Sequence, residues 1–308
     1  MLGFMLAAGF GSRLWPLSDV RAKPAFPYRG VPLIVHTAEL MAKHGVQEFY
    51  VNTHHLPESI HAALAPVRDR FQIHIVHEDT ILGTAGALVN LRDQLRHDTV
   101  VVMNAKVVTD IDLGKVIAHA SGVITMVCVP NEKREKFTHV QFDDNGTLQG
   151  FSNDLAPVAH PYTFTGIQIL SPEVFEYLPG PGFSDTIKDV YPRVMGAGKT
   201  IHVEVAHESW AEFSTLARYR DLHVRGFIDP SAQVAGDART QNAVIWENAK
   251  VGAGAQIPGC IVADGVEIPA GFHAENCALI QADRIADLRL SDRPGAQVVV
   301  GLLLAPIQ

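Results

Sequence analysis

The chain is poor in cysteine, with three in 308 residues: Cys128, Cys260 and Cys277. An odd number at wide spacing argues against a disulfide framework and a zinc site, and suits a reducing, cytoplasmic compartment. Positive charge is also short, with 25 Lys and Arg against 33 Asp and Glu and a formal net charge of −8. That balance speaks against a general nucleic-acid or anionic-membrane surface, so any phosphate site must be a local positive pocket in an acidic protein. Long apolar runs are missing too. Residues 1–10 are apolar but have no basic flank, so no signal peptide is expected. Residues 298–307 are apolar but fall well short of the roughly 20 residues that cross a bilayer. They fit a buried strand or a subunit contact better.

What is present is a chain 47% hydrophobic and 19% charged, with 25 Gly and 18 Pro, long enough for one large domain and a smaller one. Residues 2–6 form a short apolar run without alternation, the pattern of a buried parallel strand. Apolar spacing at Leu33, Ile34, Thr37, Ala38, Leu40 and Met41 predicts a helix over 33–44, stopped by Gly45. The reading continues with strands over 46–52, 71–76 and 100–103, and helices over 57–64 and 86–95. Such alternation implies βαβ units with right-handed crossovers and a mostly parallel sheet. Ligands of such sheets sit beyond the C-terminal strand ends, where residues 9–11, 52–55 and 104–106 fall. Strand-like stretches follow at 123–129, 140–142 and 166–170, with Asp144-Asn145-Gly146 as a turn. They extend the sheet and form a wall over one side of the site. A helix over 185–195, a strand over 200–205 and a helix over 215–224 complete a first domain, residues 1–225.

From Phe227 the texture changes. Ile228, Val234, Ile245, Val251, Ile257, Val262 and Ile268 recur at intervals of six, with slips of five and eleven, and small residues follow them. A six-residue apolar period with small corners is the signature of a parallel β-helix, here of two or three coils over residues 226–280. So short a stack buries little alone and must lean on the first domain or on another subunit. Residues 281–308 form a tail packing on a domain or a subunit.

Chemistry concentrates in Leu6-Ala7-Ala8-Gly9-Phe10-Gly11-Ser12-Arg13-Leu14. Glycines let a backbone turn sharply and approach a ligand closely, and successive N–H groups in such a turn make an anion site. Arg13 adds a forked charge for phosphate, and Lys23, in Lys23-Pro24, adds a second cation. The loop is not a Walker A motif, because no Gly-Lys-Ser/Thr follows, and Arg13 stands near where a dinucleotide-binding loop needs its third glycine. A lone Gly-x-Gly is usually only a tight turn. The composite is more specific. Together with Leu14-Trp15-Pro16-Leu17, Lys23-Pro24 and Gly30-Val31-Pro32-Leu33-Ile34, it resembles the opening of the sugar-1-phosphate nucleotidyltransferases, or NDP-sugar pyrophosphorylases. Thr53-His54-His55-Leu56-Pro57-Glu58 and Phe164-Thr165-Gly166 look most like the mannose-1-phosphate guanylyltransferase-type or other hexose-1-phosphate members. Glu78-Asp79-Thr80-Ile81-Leu82-Gly83-Thr84-Ala85-Gly86 resembles the same family's base-recognition turn.

The resemblance covers about residues 2–275 and implies an α/β fold. That fold is a Rossmann-like nucleotidyltransferase domain with a mostly parallel mixed sheet, plus a short left-handed parallel β-helix. It implies two substrates, a nucleoside triphosphate and a sugar 1-phosphate, that yield an NDP-sugar and pyrophosphate. It implies nucleotide contacts at Leu6, Ala8, Gly9, Gly11, Ser12, Arg13, Glu78, Leu82, Gly83, Thr84 and Asn104. Thr165, Gly166 and Glu212 fall on the sugar side. Arg13, Lys23 and Lys106 are the charges left for catalysis, and a homo-oligomer or a complex with a paralogue is the expected assembly. In the base turn, glycines would let the backbone lie on a planar base, and N–H groups at the helix start would hydrogen-bond it.

One part departs. The family places Asn-Gly-Asp after the buried strand, its Asp a Mg²⁺ ligand; this chain has Asn104-Ala105-Lys106. Lysine has donors only and repels a cation. The second ligand is altered as well, to Glu212 in Trp210-Ala211-Glu212-Phe213-Ser214-Thr215. The sugar-phosphate lysine of many relatives is missing from Ser152-Asn153-Asp154, whereas Ala22 before Lys23 is a minor change. Mg²⁺ is therefore expected from the family but poorly provided for, with Glu212 and Asp110 the remaining candidate ligands. Three readings stay open. Lys106 replaces the ion against the phosphates, or the chain is a catalytically silent nucleotide-binding regulator of an active paralogue, or Lys106 merely points to solvent. No metal-ligand spacing links His54, His55, His74 and His77, and no catalytic histidine stands in the repeats for an acyltransferase.

Overall fold

The computed structural model describes residues 1–156, 158–285 and 288–307. They fall into two compact units. A sheet unit comprises Met1–Gly9, Ile34–Pro57 and His61–Ala211, and a coil unit comprises Phe10–Leu33, Glu58–Ile60 and Glu212–Gln308. Among the described residues no helix is long and apolar enough to cross a membrane.

The sheet unit is built on nine strands. In chain order they are β1 (Leu2–Leu6), β2 (Glu48–Thr53), β3 (Gln72–His77), β4 (Val100–Asn104), β5 (Ile124–Pro130), β6 (His139–Phe142), β7 (Leu148–Ser152), β8 (Tyr162–Leu170) and β9 (Ile201–Val205). The first four run parallel in the order β4-β1-β2-β3, as apolar runs buried on both faces should. β8 then pairs antiparallel with both β4 and β5, and β9 returns parallel to β5. The sheet is therefore mixed, mostly parallel in its first half. Its core includes Phe4, Leu88, Val102, Met126, Val140 and Tyr191.

Local chemistry moved two expected helices. The one expected over 86–95 begins earlier and breaks at Leu91, giving Gly83–Asn90 and Arg92–Leu95. The one expected over 185–195 is a π-turn at Thr186–Val190 followed by an α-helix at Tyr191–Gly196. Pro192 has no N–H to offer a carbonyl four residues back, so the preceding turn widens.

In the coil unit, short strands stack in three parallel ladders. One runs through Phe227–Ile228 (β10), Val244–Ile245 (β12), Ile261–Val262 (β14) and Cys277–Gln281 (β16). A second runs through Gln233–Val234 (β11), Lys250–Val251 (β13) and Glu267–Ile268 (β15). Single bridges at Arg239, Gln256 and His273 make the third. Partners along each ladder stand seventeen residues apart, as in 227, 244, 261 and 278. Two steps of six and one of five give that period, so the slip of five in the sequence is part of the repeat. The tail is ordered as well. Gln297–Val299 (β17) and Leu302–Pro306 (β18) form a hairpin, and β18 pairs antiparallel with β16.

The units do not divide the chain near residue 225, because residues 10–33 cluster with the C-terminal part. Phe26 is the reason. Its ring lies 5.0 Å from Trp246 and 5.5 Å from Tyr219, and all three are fully or almost fully buried.

Candidate functional site

Each unit holds a part of what the sequence marks. In the sheet unit, β3 empties into Glu78, which is 2% exposed. One carboxylate oxygen accepts a hydrogen bond from Asn52 Nδ2 (2.8 Å) and the other from Leu82 N (2.9 Å). Asn52 Oδ1 in turn accepts from Ala7 N at 2.8 Å. A buried carboxylate thus ties the loop after β3, through β2, to the end of β1. Both of its oxygens are bonded within the chain, so Glu78 holds Leu82 directly and Ala7 through Asn52. Asn52 joins this chain of bonds and carries no sequence signal beyond its place at a strand end.

The Gly-Thr-Ala-Gly turn differs from its expectation. The N–H groups of Ala85 and Gly86 donate to Ser184 O at 3.0 and 3.3 Å, so they are not open to a base. The Thr84 hydroxyl lies 3.2 Å from Asp185 Oδ2 and accepts from Thr186 N at 2.8 Å. The glycines admit this strap. A Cβ on Gly83, whose φ is +73°, would stand 2.4 Å from Ser184 O, and one on Gly86 2.3 Å from Gly182 O. Leu82 and Gly83 remain as the ligand-side part of the turn.

Beyond β4, Asn104 packs against Gly166, where a Cβ would meet Asn104 Nδ2 at 2.3 Å. Gly166 has φ +84° at an irregularity in β8, between Phe164 and Gln168. The Thr165 hydroxyl is turned into the sheet, donating to Val127 O (2.8 Å), and its carbonyl accepts from Trp210 Nε1 (3.0 Å). This corner therefore offers a ligand Gly166 backbone rather than the Thr165 hydroxyl. Lys106 follows in a tight turn, its N–H 2.7 Å from Asn104 O, and is half-buried.

The carboxylates expected near Lys106 serve other partners. Asp110 Oδ2 accepts from Ser209 Oγ (2.5 Å), and Asp112 caps the helix Leu113–His119 through Lys115 N (3.1 Å). Among the described residues no three His, Cys, Asp or Glu side chains converge as a metal site. An ammonium at the end of β4 and an Asp110 carboxylate bonded to Ser209 do not fit an octahedral divalent ion that wants oxygen ligands.

The sheet unit also holds a cavity of about 590 Å³ that the sequence did not reveal. Phe137, Phe151 and Phe164 make its apolar walls, and Thr138 and Asn153 add polar groups. Lys188 is the cation on its lining, and the Asp185 carboxylate lies there too, accepting from the Lys188 backbone N–H at 3.1 Å. Size and lining suit a small molecule of mixed polarity. The contributing residues come from four separate segments, which is why no motif announced it.

In the coil unit, Gly11 takes φ +67°, and a Cβ there would stand 3.3 Å from Lys23 Cβ. Both needs point to glycine. Gly9 is different: a Cβ on it would meet nothing within 4 Å. Gly9, the last residue of its segment in the sheet unit, therefore faces open space and is not required by packing within the chain. Ser12 and Arg13 are exposed in a 3₁₀ turn, and Lys23 Nζ lies 5.5 Å over the Phe213 ring. Glu212, beside Phe213, is half-buried. Tyr219 donates to Pro27 O (2.5 Å) and accepts from Trp246 Nε1 (2.9 Å). Burial pushes its phenol well above its ordinary value, so it remains a donor.

The family model described as nucleotidyl transferase matches residues 2–224. A UTP–glucose-1-phosphate uridylyltransferase of Synechocystis sp. is 27% identical over 298 residues, covering 87% of this chain and 76% of that protein. A mannose-1-phosphate guanylyltransferase of Mycobacterium tuberculosis is 25% identical over 292 residues, covering 87% and 81%. Among solved structures, HddC from Yersinia pseudotuberculosis complexed with GMP-PN superposes with a TM-score of 0.63 at 19% identity, over 72% of this chain and 98% of that one. A putative glucose-1-phosphate thymidylyltransferase from Bacillus anthracis matches equally well, over 72% and 93%. These two likenesses speak to the fold. On the family model, the chain belongs to the nucleotidyl transferase family.

Proposed function

We propose that the chain binds a nucleoside triphosphate and a sugar 1-phosphate and transfers the nucleotidyl group between them. An oxygen of the sugar phosphate forms a bond to the α-phosphorus, the bond to the bridging oxygen breaks, and pyrophosphate leaves with that electron pair. The protein supplies alignment and charge rather than a covalent intermediate. Arg13 and Lys23 neutralise the phosphates. Leu82 and Gly83, held by Glu78, border the base. The cavity takes the sugar, with phenylalanine faces against its C–H groups, Thr138 and Asn153 toward its hydroxyls, and Gly166 backbone at the reacting end. Lys188 is the cation at hand for the sugar phosphate where the family's lysine is missing.

Lys106 distinguishes this chain. Its ammonium takes the position of a carboxylate that would hold Mg²⁺, so the charge of the ion is replaced by a fixed side chain. The observation that carries the reading is the buried bond chain Ala7–Asn52–Glu78–Leu82, which fastens the loop after β3 to the end of β1, the two stretches that carry the nucleotide motifs of the sequence. We further read the coil stack as a left-handed β-helix.

The test is pyrophosphate release with four nucleoside triphosphates and a panel of hexose 1-phosphates, in Mg²⁺ and in EDTA. Turnover with one pair in EDTA supports the full proposal. Triphosphate binding without turnover in either condition favours a silent, regulatory binder, a reading that rests on the same Lys106. No binding of any triphosphate contradicts both.

A further inference from the structure

Glu247 and Asp264 stand seventeen residues apart at equivalent corners of successive coils, so their carboxylates stack along the coil axis. Two like charges at neighbouring corners repel unless a cation joins them. Arg21 does so. Its guanidinium pairs with Glu247 and lies 3.0 Å from Asp264 Oδ1, while its plane sits 4.8 Å from the Trp246 ring. The side chain is 16% exposed, and a second arginine, Arg284, approaches Asp264 from 3.3 Å. One nitrogen, Nη2, reaches both carboxylates while the planar guanidinium lies over the Trp246 ring, a stacking that a lysine ammonium does not reproduce.

The bridge matters because of what Arg21 neighbours in sequence. Two residues on is Lys23, whose Cβ forms the wall that Gly11 must clear. Lys23 itself opens a 3₁₀ turn ending at Ala25, and Phe26 then inserts beside Trp246. On the other side of the loop, the Arg293 guanidinium lies 4.6 Å over Trp15. Gly11, Arg13 and Lys23 are thus carried on a segment fastened at Trp15, Arg21 and Phe26 to residues of the coil stack and its tail. Of these fastenings, Arg21 is the nearest in sequence to Lys23 and the one that forms ion pairs.

We infer that Glu247 and Asp264 are positioning residues of the nucleotide site, which fix Lys23 and the Gly11 turn through Arg21. This rests on the proposed role of Arg13 and Lys23. It gives the coil stack a direct part in binding the triphosphate, and removing it would loosen the phosphate loop. It also makes that loop sensitive to whatever competes for the two carboxylates, such as high salt.

The test uses the full chain carrying Glu247→Gln, Asp264→Asn, both together, or Arg21→Lys. Titration with the triphosphate that the wild type binds best, and separately with hexose 1-phosphate, is combined with amide hydrogen exchange. The double variant is expected to weaken triphosphate binding at least tenfold and to speed exchange over residues 11–25. Hexose 1-phosphate binding and exchange in β1 and β4 should stay at wild-type levels. Arg21→Lys should behave like the double variant. Unchanged affinity and unchanged exchange would overturn the inference, as would equal loss of both ligands with faster exchange throughout the sheet. If the wild type binds no triphosphate, the functional proposal fails, and exchange over residues 11–25 alone decides whether the carboxylates hold the loop.

Discussion

Two loops of the sheet unit, each following a parallel strand, are built on opposite principles. After β3, the carboxylate of Glu78 turns inward and spends both oxygens on Asn52 and Leu82. After β4, an ammonium stands at the turn, and the nearby carboxylates of Asp110 and Asp112 serve a serine and a helix end. The first loop is complete within the chain. The second, in the family this chain resembles, is completed by an ion. The part that depends on internal hydrogen bonds is visible in the structure, and the part that the resemblance would complete with an ion carries Lys106 instead.

Removing the inward carboxylate is the harshest way to break this comparison. Glu78→Ala leaves Asn52 Nδ2 and Leu82 N buried without an acceptor, which should cost about 3 kcal/mol in denaturant unfolding. Glu78→Gln keeps one acceptor and should cost less. Equivalent changes at Asp110 should cost under about 1 kcal/mol, since that residue is exposed. If Asp110→Ala proved as damaging as Glu78→Ala, the contrast between the loops would be wrong.

Next in size is Gly166→Ala. A residue with a Cβ at φ +84° is strained and would collide with Asn104, for a loss of about 2 kcal/mol. Because Asn104 adjoins the lysine turn, sugar-phosphate binding should weaken more than stability does. Calorimetric titration of the variant showing undiminished binding would count against a role for this corner.

A smaller effect sharpens the comparison from the coil unit. Burial holds the His223 pKa below its ordinary value of 6.5, with Tyr219 O and Arg29 N as its ring partners. The unfolded chain therefore takes up a proton that the folded chain resists. Stability from this group is intact above about pH 6.5 and is lost as pH falls below that value. Melting temperature should drop between pH 7 and pH 5, and His223→Gln should show a shallower drop. Parallel curves for the two proteins would remove His223 from the account. Smallest is Val300→Asn. Val300 sits at φ +46° beside Gly301 in the hairpin turn, a conformation asparagine tolerates. A gain of about 1 kcal/mol is expected in the same unfolding assay.

Much of the fold was legible. Apolar runs fixed the parallel strands, whereas the seventeen-residue period of the coils appears only in the pairing of the ladders. What stayed hidden depends on contacts distant in sequence. Arg21 meets Glu247 across 226 positions, so nothing local shows that residues 10–33 belong with the coils. Asn52 looks like any strand end until its amide is seen between Ala7 and Glu78. The glycines of the base turn were read as room for a base, but their first use is room for the Ser184 strap. The aromatic cavity draws two or three residues from each of four segments, a pattern with no period to detect. Lys106 was the reverse case, visible at once because it breaks a pattern that the rest of the chain keeps.

The central claim is that the Lys106 ammonium stands in for a divalent ion. Calorimetric titration of the preferred triphosphate into the wild type and Lys106→Asp, each in EDTA and in Mg²⁺, tests it most directly. The wild type should bind equally well in both conditions. Lys106→Asp should bind poorly in EDTA and recover in Mg²⁺. A wild type that needs Mg²⁺, or a Lys106→Asp variant indifferent to it, would contradict the account.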